Sequence, residues 1–158
     1  MKCKTTLWDF DGQMERGTGA PLSRIQAMHR LLEGVYASAK DPIGGSWSLE
    51  QLTQVAERGE SLCLWAQGEL VSFILYHRLM DGLDIMVLAT CVNHQGRGLM
   101  EALLNHLCQN LYPHSSVWLE VHSGNGPAQM LYEKLGFRRC GVRRRYYRDG
   151  GDAILYAY

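Results

Sequence analysis

A strand pattern gives way to a helix pattern within residues 117–137, which read VWLEVHSGNGPAQMLYEKLGF. Alternation in the first part predicts a strand that carries Trp118, Glu120 and His122 on one face and apolar residues on the other. The second part predicts a helix that ends at Gly136. Because an unpartnered carboxylate is costly to bury, we expect the Glu120 face to border an open groove, although a solvated strand glutamate fits the same pattern.

The same reasoning, applied outward along the chain, predicts alternating groups of strands and helices. Residues 12–21 contain three glycines and are predicted to form a loop, whereas Ser48 and Gln51 fit a capping box. The order β-α-α-β-β-β-α-β-α-β-β indicates an α+β (mixed α/β) fold with a mostly antiparallel central sheet and about four helices. Strands are predicted at residues 5–10, 62–66, 70–79, 83–92, 117–121, 138–148 and 152–156, and helices at 22–39, 48–58, 99–111 and 127–135.

The composition is typical of one compact domain, with 158 residues of which 46% are hydrophobic and 20% charged. Sixteen Lys and Arg residues balance 16 Asp and Glu residues, so we expect no direct DNA binding. No apolar run reaches the roughly 18 residues of a membrane span, and the N-terminus lacks the apolar segment of a signal peptide. The five cysteines include no Cys-x-x-Cys pair, which argues against a disulfide framework or a zinc site. We therefore expect a reduced cytoplasmic protein with no metal and no membrane contact.

A second motif, HQGRGLM at residues 94–100, lies between a predicted strand and a predicted helix. Glycines let a backbone pass close to a ligand, and the start of a helix presents unpaired N–H groups, so this segment can bind phosphate. It is not a Walker P-loop, because no Gly-Lys-Ser/Thr follows, and Glu101 replaces the last Gly or Ala of a Rossmann fingerprint. By itself the motif fits an ordinary glycine-containing turn equally well.

Three further features have ordinary explanations when they are taken singly. Tyr132 fits a packing residue of its helix, and Asn125 fits a helix N-cap. Residues 138–148 hold six arginines and no acid, which fits a solvated outer strand or a surface for an acidic or RNA-bearing partner.

Taken together, three segments resemble the GNAT superfamily of acetyl-CoA-dependent N-acetyltransferases, and within it the RimI family of ribosomal-protein-alanine N-acetyltransferases. They are HQGRGLM, which is similar to the Gln/Arg-x-x-Gly-x-Gly/Ala signature, LEVHSGNGPAQMLYEKLGF at residues 119–137, and RRRYYRDGGDAIL at residues 143–155. The likeness extends over about residues 22–158 of the single domain, which leaves residues 1–21 as an unmatched extension. Met100 stands where the signature prefers Gly or Ala, and His122 stands where the RimI strand usually has arginine.

The resemblance implies a catalytic role for two residues. Glu120 would be the base that removes a proton from the acceptor amine through a water, and Tyr132 would be the acid that protonates the coenzyme A sulfur. N–H groups around Ala89 would stabilise the oxyanion, and Tyr146 and Tyr147 would line the acceptor site. The implied acetyl-CoA contacts are Leu88, Ala89, Thr90, Gln95, Gly96, Arg97, Gly98, Leu99, Met100, Glu101 and Asn125.

The implied function is transfer of acetyl from acetyl-CoA to a protein N-terminal α-amine, with the N-terminal alanine of a ribosomal protein as the implied acceptor. The amine would attack the thioester directly, so no cysteine is assigned a catalytic role. Two alternatives stay open: a GNAT acetyltransferase of a small-molecule amine, and a non-catalytic acyl-CoA-binding module. A module that only binds acyl-CoA needs neither the acid nor the base, so the presence of both Glu120 and Tyr132 argues against the second alternative.

Overall fold

The computed structural model describes residues 13–38 and 46–158. From residue 22 onward, strands and helices follow one another in the predicted order, which confirms the mixed α/β fold. A 3-10 turn (Val92–His94) precedes the third helix, which a π-helical segment (His106–Leu111) continues. The elements are β1 (Gln13–Thr18), α1 (Leu22–Ser38), α2 (Leu49–Arg58), β2 (Glu60–Ala66), β3 (Glu69–Arg78), β4 (Gly82–Thr90), α3 (Leu99–Asn105), β5 (Ser116–His122), α4 (Gly126–Lys134), β6 (Arg138–Arg143) and β7 (Ala153–Ala157).

The first strand is where the prediction was wrong. Residues 13–18 form β1, although the glycines of this segment predicted a loop over residues 12–21. β1 pairs antiparallel with β2, with Gln13 opposite Trp65 and Thr18 opposite Glu60. This strand lies at the edge of the sheet that the described residues form, and most of its side chains are exposed. It therefore lacks the apolar alternation that marks a half-buried strand in a sequence. The predicted strand at residues 5–10 lies outside the described residues.

Two other elements end earlier than predicted. β6 ends at Arg143 and not near residue 148, because Arg145 has a φ of 52° and donates its backbone N–H to the Asp152 carboxylate at 2.9 Å. The predicted helix over residues 99–111 changes from α to π geometry after Asn105. The predicted capping box of α2 is confirmed, since Ser48 and Gln51 each accept a hydrogen bond from the other's backbone N–H.

One seven-stranded sheet separates two hydrophobic cores. Its strand order is β1-β2-β3-β4-β5-β7-β6, and among these described strands only the β4–β5 pair is parallel. Because successive residues of a strand face opposite sides, Phe73 and Leu75 of β3 join the core under α1 and α2. Their neighbours Ile74 and Tyr76 join the core under α3 and α4.

The parallel pair opens into a gap. β4 and β5 pair only from Gly82 opposite Ser116 to Ile85 opposite Leu119. Beyond that point β4 continues along β3 as far as Thr90, and β5 continues along β7 as far as His122. At the closed end, a Cβ on Gly82 would overlap the backbone oxygen of Ser116, so only glycine permits the strands to approach there. We call the space between the unpaired ends of β4 and β5 the strand gap.

Candidate active site

The strand gap lies at the carboxyl ends of two parallel strands, each followed by a helix. β4 leads through a short loop to α3, and β5 leads through a short loop to α4. In open α/β sheets, ligands bind outside the carboxyl ends of the strands, where neighbouring connections diverge. The topology therefore brings the two predicted motifs, residues 94–100 and 119–137, to one end of the molecule.

Backbone groups on both sides of the strand gap are directed into it. The N–H of Cys91 donates to the carbonyl of Val71 at 2.8 Å, which makes these two residues a hydrogen-bonded pair of the β3–β4 ladder. Pairs alternate in an antiparallel ladder, so Ala89 also bonds toward β3, whereas the backbone groups of Leu88 and Thr90 point away from it. The backbone groups of Leu88 and Thr90 therefore face the strand gap.

The opposite wall follows the same alternation. The N–H of Tyr158 donates to the carbonyl of Val117 at 2.8 Å, and the N–H of Ser123 donates to that of Asp152 at 2.8 Å. Residues 117, 119, 121 and 123 therefore bond toward β7, and the backbone of Glu120 faces the strand gap.

The loop before α3 contains two glycines in the left-handed conformation and leads directly into the helix. Gly96 and Gly98 have φ angles of 72° and 75°, which glycine adopts without strain, and Gly98 is the N-cap of α3. No side chain caps this helix start by a hydrogen bond, so the first N–H groups of α3 remain for an anion. The Gln95 side chain donates to the Thr90 carbonyl at 3.1 Å and ties the loop to the end of β4.

The remaining residues of this loop divide between the surface and the core. Arg97 is exposed, Leu99 is buried, and Met100 packs against the α3–α4 core. The carboxylate of Glu101 contacts the ammonium of Lys134 at 2.7 Å, so this side chain is engaged within the protein. Met100 thus occupies the signature's Gly or Ala position with its side chain turned to the protein interior.

As the alternation predicted, Glu120 lies on the face of β5 opposite to Leu119 and Val121, and in the structure this is the α1–α2 face. Its side chain is 27% exposed, and its Oε1 contacts the Nε of Arg143 at 2.9 Å. The Arg143 guanidinium also lies over the Tyr146 ring, 5.5 Å from its centroid. The negative charge of Glu120 raises the pKa of Tyr146. No local pattern in the sequence indicates Arg143, because its contact with Glu120 depends on the position of β6, two strands away from β5 in the sheet.

Tyr132 lies on the other face, in the α3–α4 core. The residue is 3% exposed, and its ring centroid lies 5.9 Å from that of Phe137 and 5.8 Å from that of Tyr156. Burial, with smaller contributions from Tyr147 and Tyr156, raises the pKa of Tyr132 well above its usual value. Its hydroxyl therefore stays protonated at neutral pH and can serve as a proton donor.

Asn125 is the N-cap of α4, which is the ordinary explanation that the sequence offered. Its Oδ1 accepts a hydrogen bond from the N–H of Ala128 at 3.2 Å. With the oxygen engaged in the cap, the amide nitrogen is the group that can contact a cofactor.

The predicted acceptor residues follow β6 in a loop beside Glu120. Tyr146 is 50% exposed, whereas Tyr147 is partly buried. Burial first, and then the charge of Glu120, raises the pKa of Tyr147 to about 12. The structure therefore brings Glu120 together with both tyrosines on the α1–α2 face.

Two general features of the described residues bear on other classes of function. No helix among them is both long enough and apolar enough to cross a membrane. Within the same ranges, no three His, Cys, Asp or Glu side chains form a group suited to a metal ion.

Comparison with known proteins identifies the family. The model of the acetyltransferase (GNAT) family matches residues 26–137. The "[Ribosomal protein bS18]-alanine N-acetyltransferase" of Escherichia coli (strain K12) is 36% identical over 106 residues, which are 64% of this chain and 72% of that protein. The crystal structure of the ribosomal-protein-S18-alanine N-acetyltransferase from Escherichia coli superposes with a TM-score of 0.75 and 28% identity, covering 92% of each chain.

A third protein of similar fold has acetyl-CoA bound in its crystal structure. A GNAT family acetyltransferase from Elizabethkingia anophelis with acetyl-CoA bound has a TM-score of 0.69 and 18% identity, and the match covers 93% of this chain and 97% of that one. The chain belongs to the acetyltransferase (GNAT) family. It is an N-acetyltransferase, and acetyl-CoA is the acetyl donor of its family.

Proposed function

We propose that the protein transfers acetyl from acetyl-CoA to the N-terminal α-amine of another protein, with the N-terminal alanine of a ribosomal protein as the first acceptor to test. The observation that supports this function is the strand gap, whose β5 wall carries Glu120 on one face of the sheet, while Tyr132 lies in the core on the other face. The similarity to the Escherichia coli enzyme supports the class of acceptor. With a ribosomal acceptor, the enzyme would act in the cytoplasm.

The cosubstrate would lie on the α3–α4 face. N–H groups of residues 96–101, in the glycine loop and the first turn of α3, would bind the pyrophosphate, since the start of a helix favours an anion. The acetylated arm would enter the strand gap and bond to the backbone of Leu88 and Thr90. The strand register favours the N–H groups of these two residues, and not that of Ala89, as donors to the oxyanion. Such a donor contributes roughly 3–4 kcal/mol to catalysis in other enzymes.

The acceptor would approach from the α1–α2 face, where Glu120 and the two tyrosines lie. A peptide α-amine has a pKa near 8, so a modest base suffices to remove its proton at neutral pH. Glu120 would take that proton through a water while the amine nitrogen bonds to the thioester carbon. The carbon–sulfur bond then breaks, and Tyr132 would give its proton to the departing thiolate. This sequence forms no covalent intermediate with the enzyme.

Two measurements test this function in order. Calorimetry with acetyl-CoA should give saturable binding to one site per chain. Mass spectrometry should then detect a mass increase of one acetyl group on a peptide with a free N-terminal alanine, and none on the same peptide with a blocked N-terminus.

A panel of small amines beside the peptides separates the alternatives. Transfer to polyamines or aminoglycosides but to no peptide would assign the enzyme to small-molecule acetylation. Binding of acetyl-CoA without transfer to any amine would favour a non-catalytic module and would refute the proposed roles of Glu120 and Tyr132.

A further inference from the structure

The loop that carries Tyr146 and Tyr147 contains a tight turn stabilised from within. The N–H of Gly150 donates to the carbonyl of Tyr147 at 2.9 Å, and the N–H of Tyr147 donates to that of Gly151 at 3.0 Å. The Asp149 carboxylate accepts from the N–H of Gly151 at 2.9 Å, and this bond lowers the pKa of Asp149. We call residues 146–151 the tyrosine turn.

A side chain from β5 anchors the tyrosine turn to the sheet. His122 contacts Asp149 through Nε2 at 2.9 Å, and its Nδ1 lies 2.8 Å from the backbone nitrogen of Gly124. A backbone N–H can only donate, so Nδ1 is the acceptor and Nε2 carries the hydrogen that is donated to Asp149. Both nitrogens of the imidazole are therefore engaged, and the orientation of the ring is determined.

The ring of His122 also packs directly against the tyrosine turn. Its centroid lies 4.8 Å from that of Tyr147, with 37° between the ring planes. A Cβ on Gly151 would overlap the imidazole, so the approach of the turn to His122 requires glycine at this position. Tyr146 in turn meets Tyr147 edge to face at 5.2 Å.

His122 thereby couples the tyrosine turn to the wall that carries Glu120. Both residues lie on the α1–α2 face of β5, two positions apart, and the ring of His122 packs against that of Tyr147. The position of Tyr147 relative to the proposed base thus depends on the contacts of His122.

We propose that His122 is a positioning residue for the acceptor: through Asp149 and Tyr147 it holds the tyrosine turn as the wall of the acceptor site. This role rests on the proposed function. It concerns the binding of the acceptor and not the chemistry, because His122 acts through the turn and lies outside the proposed acid–base pair. A loosened turn should weaken acceptor binding and leave acetyl-CoA binding unchanged.

The test compares His122→Phe with His122→Gln. Phenylalanine keeps a ring against Tyr147 but removes both hydrogen bonds, whereas glutamine keeps an amide N–H that can reach Asp149. We expect His122→Phe to raise KM for the acceptor peptide about tenfold, the value of one hydrogen bond to a charged group. We expect kcat to change less than about threefold, and the acetyl-CoA Kd less than about twofold. His122→Gln should recover part of the loss, and His114→Gln, at an exposed histidine outside the site, should have no effect.

Hydrogen exchange provides a readout that needs no acceptor. In His122→Phe and in Asp149→Ala, the amides of Tyr147, Gly150 and Gly151 should exchange faster than in the wild type, with exchange in β5 unchanged. Unchanged exchange in the turn would show that His122 does not hold it and would overturn the inference. Faster exchange with an unchanged peptide KM would overturn it as well, because the turn would then not be the acceptor wall. Failure of the wild type to acetylate any peptide would instead refute the proposed function, independently of the variants.

Discussion

Replacing Tyr132 by phenylalanine tests the proposed acid most directly, because the change removes one oxygen atom. The ring contacts with Phe137 and Tyr156 do not involve the hydroxyl, so the packing of α4 should persist. We expect the free energy of unfolding to change by about 1 kcal/mol or less. Any larger effect on turnover therefore reports on chemistry and not on folding.

The expected loss of turnover follows from the leaving group. General acids contribute roughly 100- to 10,000-fold, and a thiolate whose thiol has a pKa near 8.5 needs less help than an alkoxide. We therefore expect kcat to fall about 100-fold, equivalent to about 2.7 kcal/mol. Because burial raises the pKa of Tyr132, the wild type should show no loss of the acid form below about pH 10.

The assay is the release of free thiol at saturating acetyl-CoA and peptide, with the acetyl-CoA Kd measured separately by calorimetry. Tyr156→Phe is the matched control, since it removes a neighbouring hydroxyl that donates to Glu133 at 2.7 Å. That variant should keep kcat within about threefold of the wild type. Turnover by Tyr132→Phe equal to that of the control would remove Tyr132 as the acid.

Three further substitutions probe the base, the phosphate loop and a buried carboxylate. Glu120→Gln should lower kcat/KM for the peptide most at low pH, where the amine of pKa near 8 is protonated, and a pH profile parallel to the wild type would contradict the role of the base. Gly98→Ala places alanine at a φ of 75°, which costs roughly 1–2 kcal/mol, and this variant should raise the acetyl-CoA Kd at least fivefold. Its control is Gly68→Ala, which has a φ of 81° in a hairpin turn and should leave the acetyl-CoA Kd unchanged. Glu60→Gln should lower the free energy of unfolding at pH 7 by about 2–3 kcal/mol, because the 7% exposed carboxylate accepts from Arg16 at 2.8 Å. Burial acts to raise the pKa of Glu60, but the hydrogen bonds, led by that of Arg16, lower it below 4.5. This carboxylate therefore stabilises the folded wild type above pH 4.5, and its contribution decreases as the pH falls through the folded pKa. In urea unfolding the difference between wild type and variant should therefore shrink toward low pH, and a constant difference would refute the role of the charge.

Local sequence patterns determined much of the candidate site. Alternation placed Glu120 on a groove-facing strand, and the glycines of residues 94–100 indicated a loop that opens a helix. The capping box at Ser48 and the cap at Asn125 were also readable, because each involves atoms only three residues apart. In all these cases one short segment contains both the signal and the contact that it predicts.

Tertiary structure decided where those segments meet. The strand gap exists because β4 and β5 part after Ile85, and the register of β3 leaves the backbone groups of Leu88 and Thr90, but not those of Ala89, facing this gap. Two side-chain contacts join β5 to distant segments: Glu120 contacts Arg143 of β6, and His122 contacts Asp149 of the loop between β6 and β7. No local periodicity can indicate these contacts. Edge strand β1 is a strand only through its pairing with β2. A chain segment encodes its own conformation in its side-chain pattern, whereas strand order and register follow from how all segments bury their apolar faces together.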